Sequence, residues 1–224
     1  MDVAQPIRCV IPTLDGQALE VLSGVSGSLT GREVARLARH GSESGVRRAL
    51  DRLVQQGVVD AEQRGGAVFY QLNREHLAYP AVEVLAGLRR ELLDRLTALL
   101  AAWAIPPLHA SMFGSAARRD GDARSDIDIL LVRPEDIDED SEPWASQVED
   151  LRERVGRWTG NRCQPYQVDP PGIAAHARVG AGIIQSWLRD AITLHGPGIS
   201  SFLPTSPGKK TPSTRAAKAP RISR

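Results

Sequence analysis

Gly114-Ser115, ten intervening residues and then Asp126-Ile127-Asp128 are the residues of this chain best placed to do chemistry. Asp126-Ile127-Asp128 runs directly into the apolar stretch Ile129-Leu130-Leu131-Val132. In a strand, side chains alternate between faces, so Asp126 and Asp128 share one. Two neighbouring carboxylates at the start of a buried strand repel each other and lose hydration. A divalent cation removes both penalties, and Mg²⁺ (or Mn²⁺) is commonly held by one or two carboxylates together with substrate phosphates. Gly114 and Ser115 follow another apolar segment, Leu108 to Phe113. A small residue there lets backbone N–H groups approach an anion.

These residues must be positioned by two strands, expected at 108–113 and 126–132, with a helix opening at Ser115. Downstream, Trp144, Val148, Leu151, Val155 and Trp158 recur at helical spacing. A further strand is expected at Cys163–Val168. Ile183, Ile184, Trp187 and Leu188 mark a last helix before the apolar run Ala191 to Leu194. The acidic block Glu135 to Glu142 is too hydrophilic for a core and reads as a surface loop.

The stretch from Phe113-Gly114-Ser115 through Asp126-Ile127-Asp128 to Val132 resembles the nucleotidyltransferase superfamily that includes DNA polymerase beta, in its minimal branch, over about 105–196. The resemblance implies a mixed sheet with helices and transfer of a nucleotidyl group from an NTP to an unknown acceptor, protein or nucleic acid. Asp126 and Asp128 would hold the metal, while Gly114, Ser115 and Arg118 would hold phosphates. Arg119 and Arg124 are as well suited to pairing with Asp120 and Asp122. Active relatives add a third carboxylate on a later strand. Here that strand reads Arg162-Cys163-Gln164-Pro165-Tyr166-Gln167-Val168-Asp169-Pro170, with glutamines and Tyr166 at the inward positions. Either Asp169 serves as the third catalytic acid from a shifted register, or that acid is missing. Without it, the resemblance implies transfer weakened or abolished with nucleotide binding left intact.

A different unit precedes this one. Asp15 is a candidate cap for a helix carrying Leu19 and Leu22, and Thr30-Gly31-Arg32-Glu33 is a reciprocal capping box. Beyond His40-Gly41-Ser42, Val46, Ala49, Leu50, Leu53 and Val54 give a longer helix that ends at Gly57. Two short β segments, around 58–62 and 68–72, flank Gln63-Arg64-Gly65-Gly66, a hairpin signal. Residues 15–75 thus resemble the winged helix-turn-helix of the ArsR and MarR families. In such a fold the second helix of the motif enters the major groove. The resemblance places Ser42, Ser44, Arg47 and Arg48 at base edges, Arg52 at a phosphate and Arg64 at the wing, with duplex DNA as partner. Glu43 and Asp51 moderate the local positive potential. Winged helices also serve as protein-docking modules.

Between the units, Val82 through Leu100 carry apolar residues at helical spacing, and Pro106-Pro107 end the pattern. One long helix over 76–104 is expected. Its apolar face either forms a homodimer interface or packs on its own chain. The expected organisation is therefore an N-terminal extension (1–14), the winged helix (15–75), the connecting helix (76–104), the transferase-like unit (105–203) and a disordered basic tail (204–224). The fold class is α/β in the broad, α+β sense.

Composition bounds the rest. A chain of 224 residues with 42% hydrophobic and 25% charged residues has ordinary globular composition. Its apolar runs are far shorter than a membrane span and no leader opens it, so no membrane partner and a cytoplasmic location are expected. Cys9 and Cys163 form no metal-spaced pair, and the five histidines show no ligand spacing. His109 reads as core or rim. The net charge of +1 conceals a tail with six basic residues and no acid. Without it the chain carries 22 basic against 27 acidic residues, about −5. The tail reads as a solvated end or as an auxiliary phosphate-binding arm.

Two functions of different classes follow. One is a Mg²⁺-dependent nucleotidyltransferase whose winged helix binds DNA or presents an acceptor. The other is a transcriptional regulator whose degenerate transferase domain senses a nucleotide or docks a partner. A third, antitoxin-like modification of a partner protein, is borrowed from the resemblance alone.

Overall fold

The structure, a computed structural model, describes residues 1–203; the basic tail lies outside the described residues. The chain folds into a mixed α+β arrangement with one small sheet in each half. The first half runs α1 (Leu14–Ser23), β1 (Leu29–Thr30), α2 (Gly31–Leu37), α3 (Glu43–Gln55), β2 (Val59–Arg64) and β3 (Ala67–Leu72). Its three antiparallel strands lie in the order β1-β3-β2, which is the arrangement of a winged helix. The capping box at α2 forms as its spacing requires: Glu33 N donates to Thr30 Oγ1 at 3.3 Å and Thr30 N to Glu33 Oε2 at 2.8 Å. Ser42 caps α3 by accepting from Gly45 N at 3.1 Å. At α1 the cap position belongs to Thr13, and Asp15 falls in the first turn. The wing is tighter than its hairpin signal suggested, since the strands continue to Arg64 and Ala67 and leave only Gly65-Gly66 to turn. Leu19, Leu22, Val34, Val46, Leu50 and Val59 form this half's core.

The expected single connecting helix is two helices, α4 (Tyr79–Ala86) and α5 (Leu88–Ala101), separated at Gly87. The apolar stripe has two cores to fill, and glycine, a poor helix former, is where the chain changes from one to the other. Val82 belongs to the first core, whereas Leu92, Leu96 and Leu100 belong to the second. The α5 stripe is thus covered by its own chain, the second of the two alternatives for this face. The N-terminal segment spans the same junction, with Val3 in the second core and Ile7 in the first.

The second half runs β4 (His109–Phe113), α6 (Gly114–Arg118), β5 (Ile127–Val132), α7 (Trp144–Thr159), β6 (Cys163–Val168), α8 (Pro170–Arg178), α9 (Gly182–Asp190) and β7 (Ile192–His195). The strand order is β6-β5-β4-β7, with β5 and β6 parallel and the other pairs antiparallel. Ile127, Ile129 and Leu131 face α5 and α7 on one side of β5. Leu130 and Val132 face α8 and α9 on the other. Burial on both sides explains the unbroken apolar run after Asp128. Asp126 and Asp128 share the α8–α9 side, beyond the end of its apolar packing. Among the described residues no helix is long and apolar enough to cross a membrane.

Candidate functional site

Asp128 sits in register between Phe113 of β4 and Gln164 of β6. Its carboxylate lies directly against Gly114, whose φ of +68° is the left-handed conformation that favours glycine. A Cβ at Gly114 would stand 2.3 Å from Asp128 Oδ2. The Gly-Ser of the motif is thus fitted to the carboxylate across from it.

The loop between the motif halves is held by its own side chains. Asp122 accepts from Arg124 N at 2.8 Å and from Ser125 Oγ at 3.2 Å. Asn161 Nδ2 donates to the carbonyls of Ala123 and Ser125, at 3.3 and 2.9 Å. A Cβ at Gly121 would come within 2.9 Å of both Ser115 Oγ and Ser125 Oγ, so the two hydroxyls converge there. Ser125 and Asn161 were missed by sequence reasoning, because only the folded loop brings them to the motif.

Burial pushes the Asp128 carboxyl above its ordinary value, the charge of Asp126 pushes it further, and Arg118 acts against both. Arg118 is engaged with Asp120, its Nε 2.8 Å from Oδ2, and approaches Asp190 at 3.9 Å. Arg118 therefore pairs with Asp120, a partner expected for Arg119 or Arg124, while Arg119 makes no ion pair among the described residues. Arg119 instead takes a left-handed φ of 61° where α6 ends.

Asp169 does not join this cleft, which corrects its assignment as third acid. It caps α8, accepting from Gly172 N at 2.7 Å, and lies 4.0 Å from Arg133. It lies five residue steps beyond Gln164, about 17 Å at 3.3–3.4 Å per residue. The place beside Asp126 and Asp128 is held by Gln164. In one orientation its amide donates to Asp126 Oδ2 at 3.3 Å, and flipped it accepts from Arg162 Nε at 3.0 Å. Arg162, which the sequence did not single out, thus lies within reach of the Gln164 amide.

Among the described residues no cluster of three or more His, Cys, Asp or Glu side chains is placed to hold a metal ion. Two carboxylates of the same strand face, one made more basic by burial and by the other's charge, do fit a cation that arrives with phosphate oxygens. His109 is core. Its ring bonds Pro197 O at 2.7 Å and Ser111 Oγ at 2.9 Å, and burial lowers its proton affinity.

On the first half, Ser44, Arg47 and Arg48 are exposed on α3. Arg47 and Arg48 make no ion pair among the described residues. The Ser42 hydroxyl is committed to capping. Arg52, expected at a phosphate, is paired within the chain: its Nε and Nη2 grip Asp15 of α1 at 3.1 and 2.7 Å, a bidentate pair that ties α3 to α1. Arg64 folds back onto the wing, against Glu62 and 5.5 Å over the Phe69 ring.

The chain matches no family model and no curated protein. Two solved structures are similar to parts of it. One is human N-acetylserotonin methyltransferase in complex with SAM, at 20% identity over 45% of this chain and 31% of that one, with a TM-score of 0.27. This chain thus spans about a third of that enzyme's length. The other is TrmBL2, an archaeal chromatin protein described as showing a novel mode of DNA binding, at 15% identity over 76% of this chain and 70% of that one, with a TM-score of 0.26. TM-scores this low transfer neither fold details nor function to this chain.

Proposed function

We propose that this is a DNA-binding protein whose second half binds a nucleoside triphosphate with Mg²⁺ and reports its presence, without turning it over. The observation that carries this reading is Gln164 beside Asp126, where a third carboxylate would complete a transferase, with Asp169 committed to capping α8. Gly114 and Ser115 would donate to the terminal phosphates, and Arg118 would exchange Asp120 for a phosphate oxygen. Asp126 and Asp128 would hold Mg²⁺, which supplies charge neutralisation at the phosphates. An amide cannot take the proton of an attacking hydroxyl as a carboxylate does, so the chain lacks a base at that place.

The test is Mg²⁺-dependent binding of ATP, with transfer of label to protein or nucleic acid followed in the same samples. Binding without transfer is expected, and Gln164→Glu is expected to tighten Mg²⁺ binding by adding a charged ligand. The intact Asp126–Asp128 pair favours a working transferase as the second reading. Label transfer by the wild type that disappears in Asp126→Asn would establish it and end the sensor reading.

The DNA half of the proposal rests on α3, where Arg47 and Arg48 are exposed and make no ion pair among the described residues. Arg47→Ala or Arg48→Ala is expected to cost about 1–3 kcal/mol of duplex affinity where the arginine reads a base. Where it meets a phosphate, the salt slope should instead fall by about 1. Equilibrium binding across a salt series distinguishes the two, and indifference to both changes would remove α3 as the DNA face.

A further inference from the structure

The two halves meet at the far end of α6, the short helix that begins at Gly114. Arg89, two residues beyond the break at Gly87, is buried there, 7% exposed, with no carboxylate partner among the described residues. Its Nη1 donates to Ala116 O at 2.8 Å and Val3 O at 2.9 Å, and its Nη2 to Ala117 O at 3.3 Å. Burial and the neighbouring Arg119 and Arg39 charges lower its pKa to about 10. A guanidinium is thus spent on holding the last carbonyls of α6 against the connector and the N-terminal segment.

A second arginine reaches the same place from the winged helix. Arg39 lies between α2 and α3, three residues before the Ser42 cap, and its Nη1 donates to Arg119 O. Arg119 takes its left-handed φ at this point. Glu20 of α1 is close to both guanidinium groups: burial pushes its carboxyl up, and Arg119 and Arg39 pull it back. His40 N is anchored in turn on Gln17 Oε1 of α1 at 3.1 Å.

We propose that occupancy of the carboxylate cleft and duplex engagement by α3 are energetically coupled through α6, with Arg89 as its fixed anchor and the Arg39–Arg119 contact as its latch. The inference rests on the nucleotide-binding reading above and goes beyond it by naming the route. Asp128 and Gly114 touch at one end of α6, and five helical residues, about 7.5 Å, separate that end from the latch. A phosphate drawn onto Gly114 and Ser115 therefore acts on a rigid strut whose other end is bonded to the turn that launches α3. Such coupling is reciprocal by linkage.

The test uses the full chain, Mg–ATP and a mixed-sequence DNA duplex. In the wild type, saturating Mg–ATP is expected to change the duplex Kd at least about fivefold, the lower end of ordinary allosteric coupling, and the duplex to change the ATP Kd by the same factor. Arg39→Ala, on an exposed side chain, should bring both ratios to one. Arg89→Lys, which keeps the charge but not the three-carbonyl reach, should reduce them. If both ligands bind and neither alters the other, or if Arg39→Ala leaves the ratios intact, the coupling is overturned while the proposed function stands. If ATP does not bind, the proposed function and the coupling fail together; if ATP binds and no duplex does, the coupling fails with the DNA half of the proposed function.

Discussion

Asp128→Asn is expected to make the ligand-free protein more stable and to abolish its stabilisation by Mg–ATP. The first effect follows from burial and from the Asp126 charge, both of which raise the Asp128 carboxyl above its ordinary value. A carboxyl raised by folding binds its proton more tightly in the native state. Its favourable contribution is present below the unfolded value and lost as pH rises through the folded one. Ionised Asp128 is thus a burden at neutral pH, and asparagine removes it at nearly the same volume. The difference between variant and wild type should grow as pH climbs from the ordinary carboxylate range through the raised value, then level off. The second effect is larger. A ligand at a hundred times its Kd stabilises the native state by about 2.7 kcal/mol, and the variant should lose essentially all of it. Thermal unfolding across a pH series, with and without Mg–ATP, reads both. A ligand-free variant less stable than wild type at neutral pH would mean that the carboxylate makes native contacts outweighing its desolvation.

Where local chemistry decides, the sequence was readable. The Thr30–Glu33 box, the glycine ending α3 and the bounds of β6 are set within a few residues of chain and appear where the pattern places them. Gln164 and Tyr166 at the cleft-facing positions of β6 were likewise visible, because a strand alternates, whereas Gln167, three residues beyond Gln164, falls on the opposite face and accepts from Trp144 Nε1. What was not legible depends on residues far apart in sequence. Arg52 looked free to meet a phosphate until Asp15, 37 residues earlier, folded against it. Asn161 reaches the motif loop only because β5 and β6 run side by side. Two signals were present and underused. Asp169 followed by Pro170-Pro171 is an N-cap with proline in the first turn, which announces α8 and explains why that carboxylate serves the backbone. Gly87 inside an otherwise regular helical pattern marks the place where the connector passes from one core to the other.

Gly114→Ala should separate the cost of a strained backbone from the cost of a displaced carboxylate. At φ +68°, alanine costs about 1–2 kcal/mol for the left-handed conformation alone. Its Cβ would also fall 2.3 Å from Asp128 Oδ2 and 3.2 Å from Asp128 Cγ, distances at which one group must move. The carboxylate is the end of a short side chain and moves more easily than the α6 backbone, whose far end Arg89 fixes. The stability loss should therefore stay near the backbone cost. Nucleotide affinity should fall by about 10- to 100-fold, as it does when a metal-binding side chain loses its orientation. Gly65→Ala supplies the control: Gly65 has a φ of +58° at the wing tip, and a Cβ there meets nothing within 4 Å. It carries the same backbone cost with no contact to the cleft, so ATP affinity should be unchanged. Calorimetric ATP titration and unfolding of both variants give the four numbers required. Equal affinity in Gly114→Ala and wild type would show that nucleotide binding does not depend on where Asp128 is held, and the cleft would lose its role as the nucleotide site.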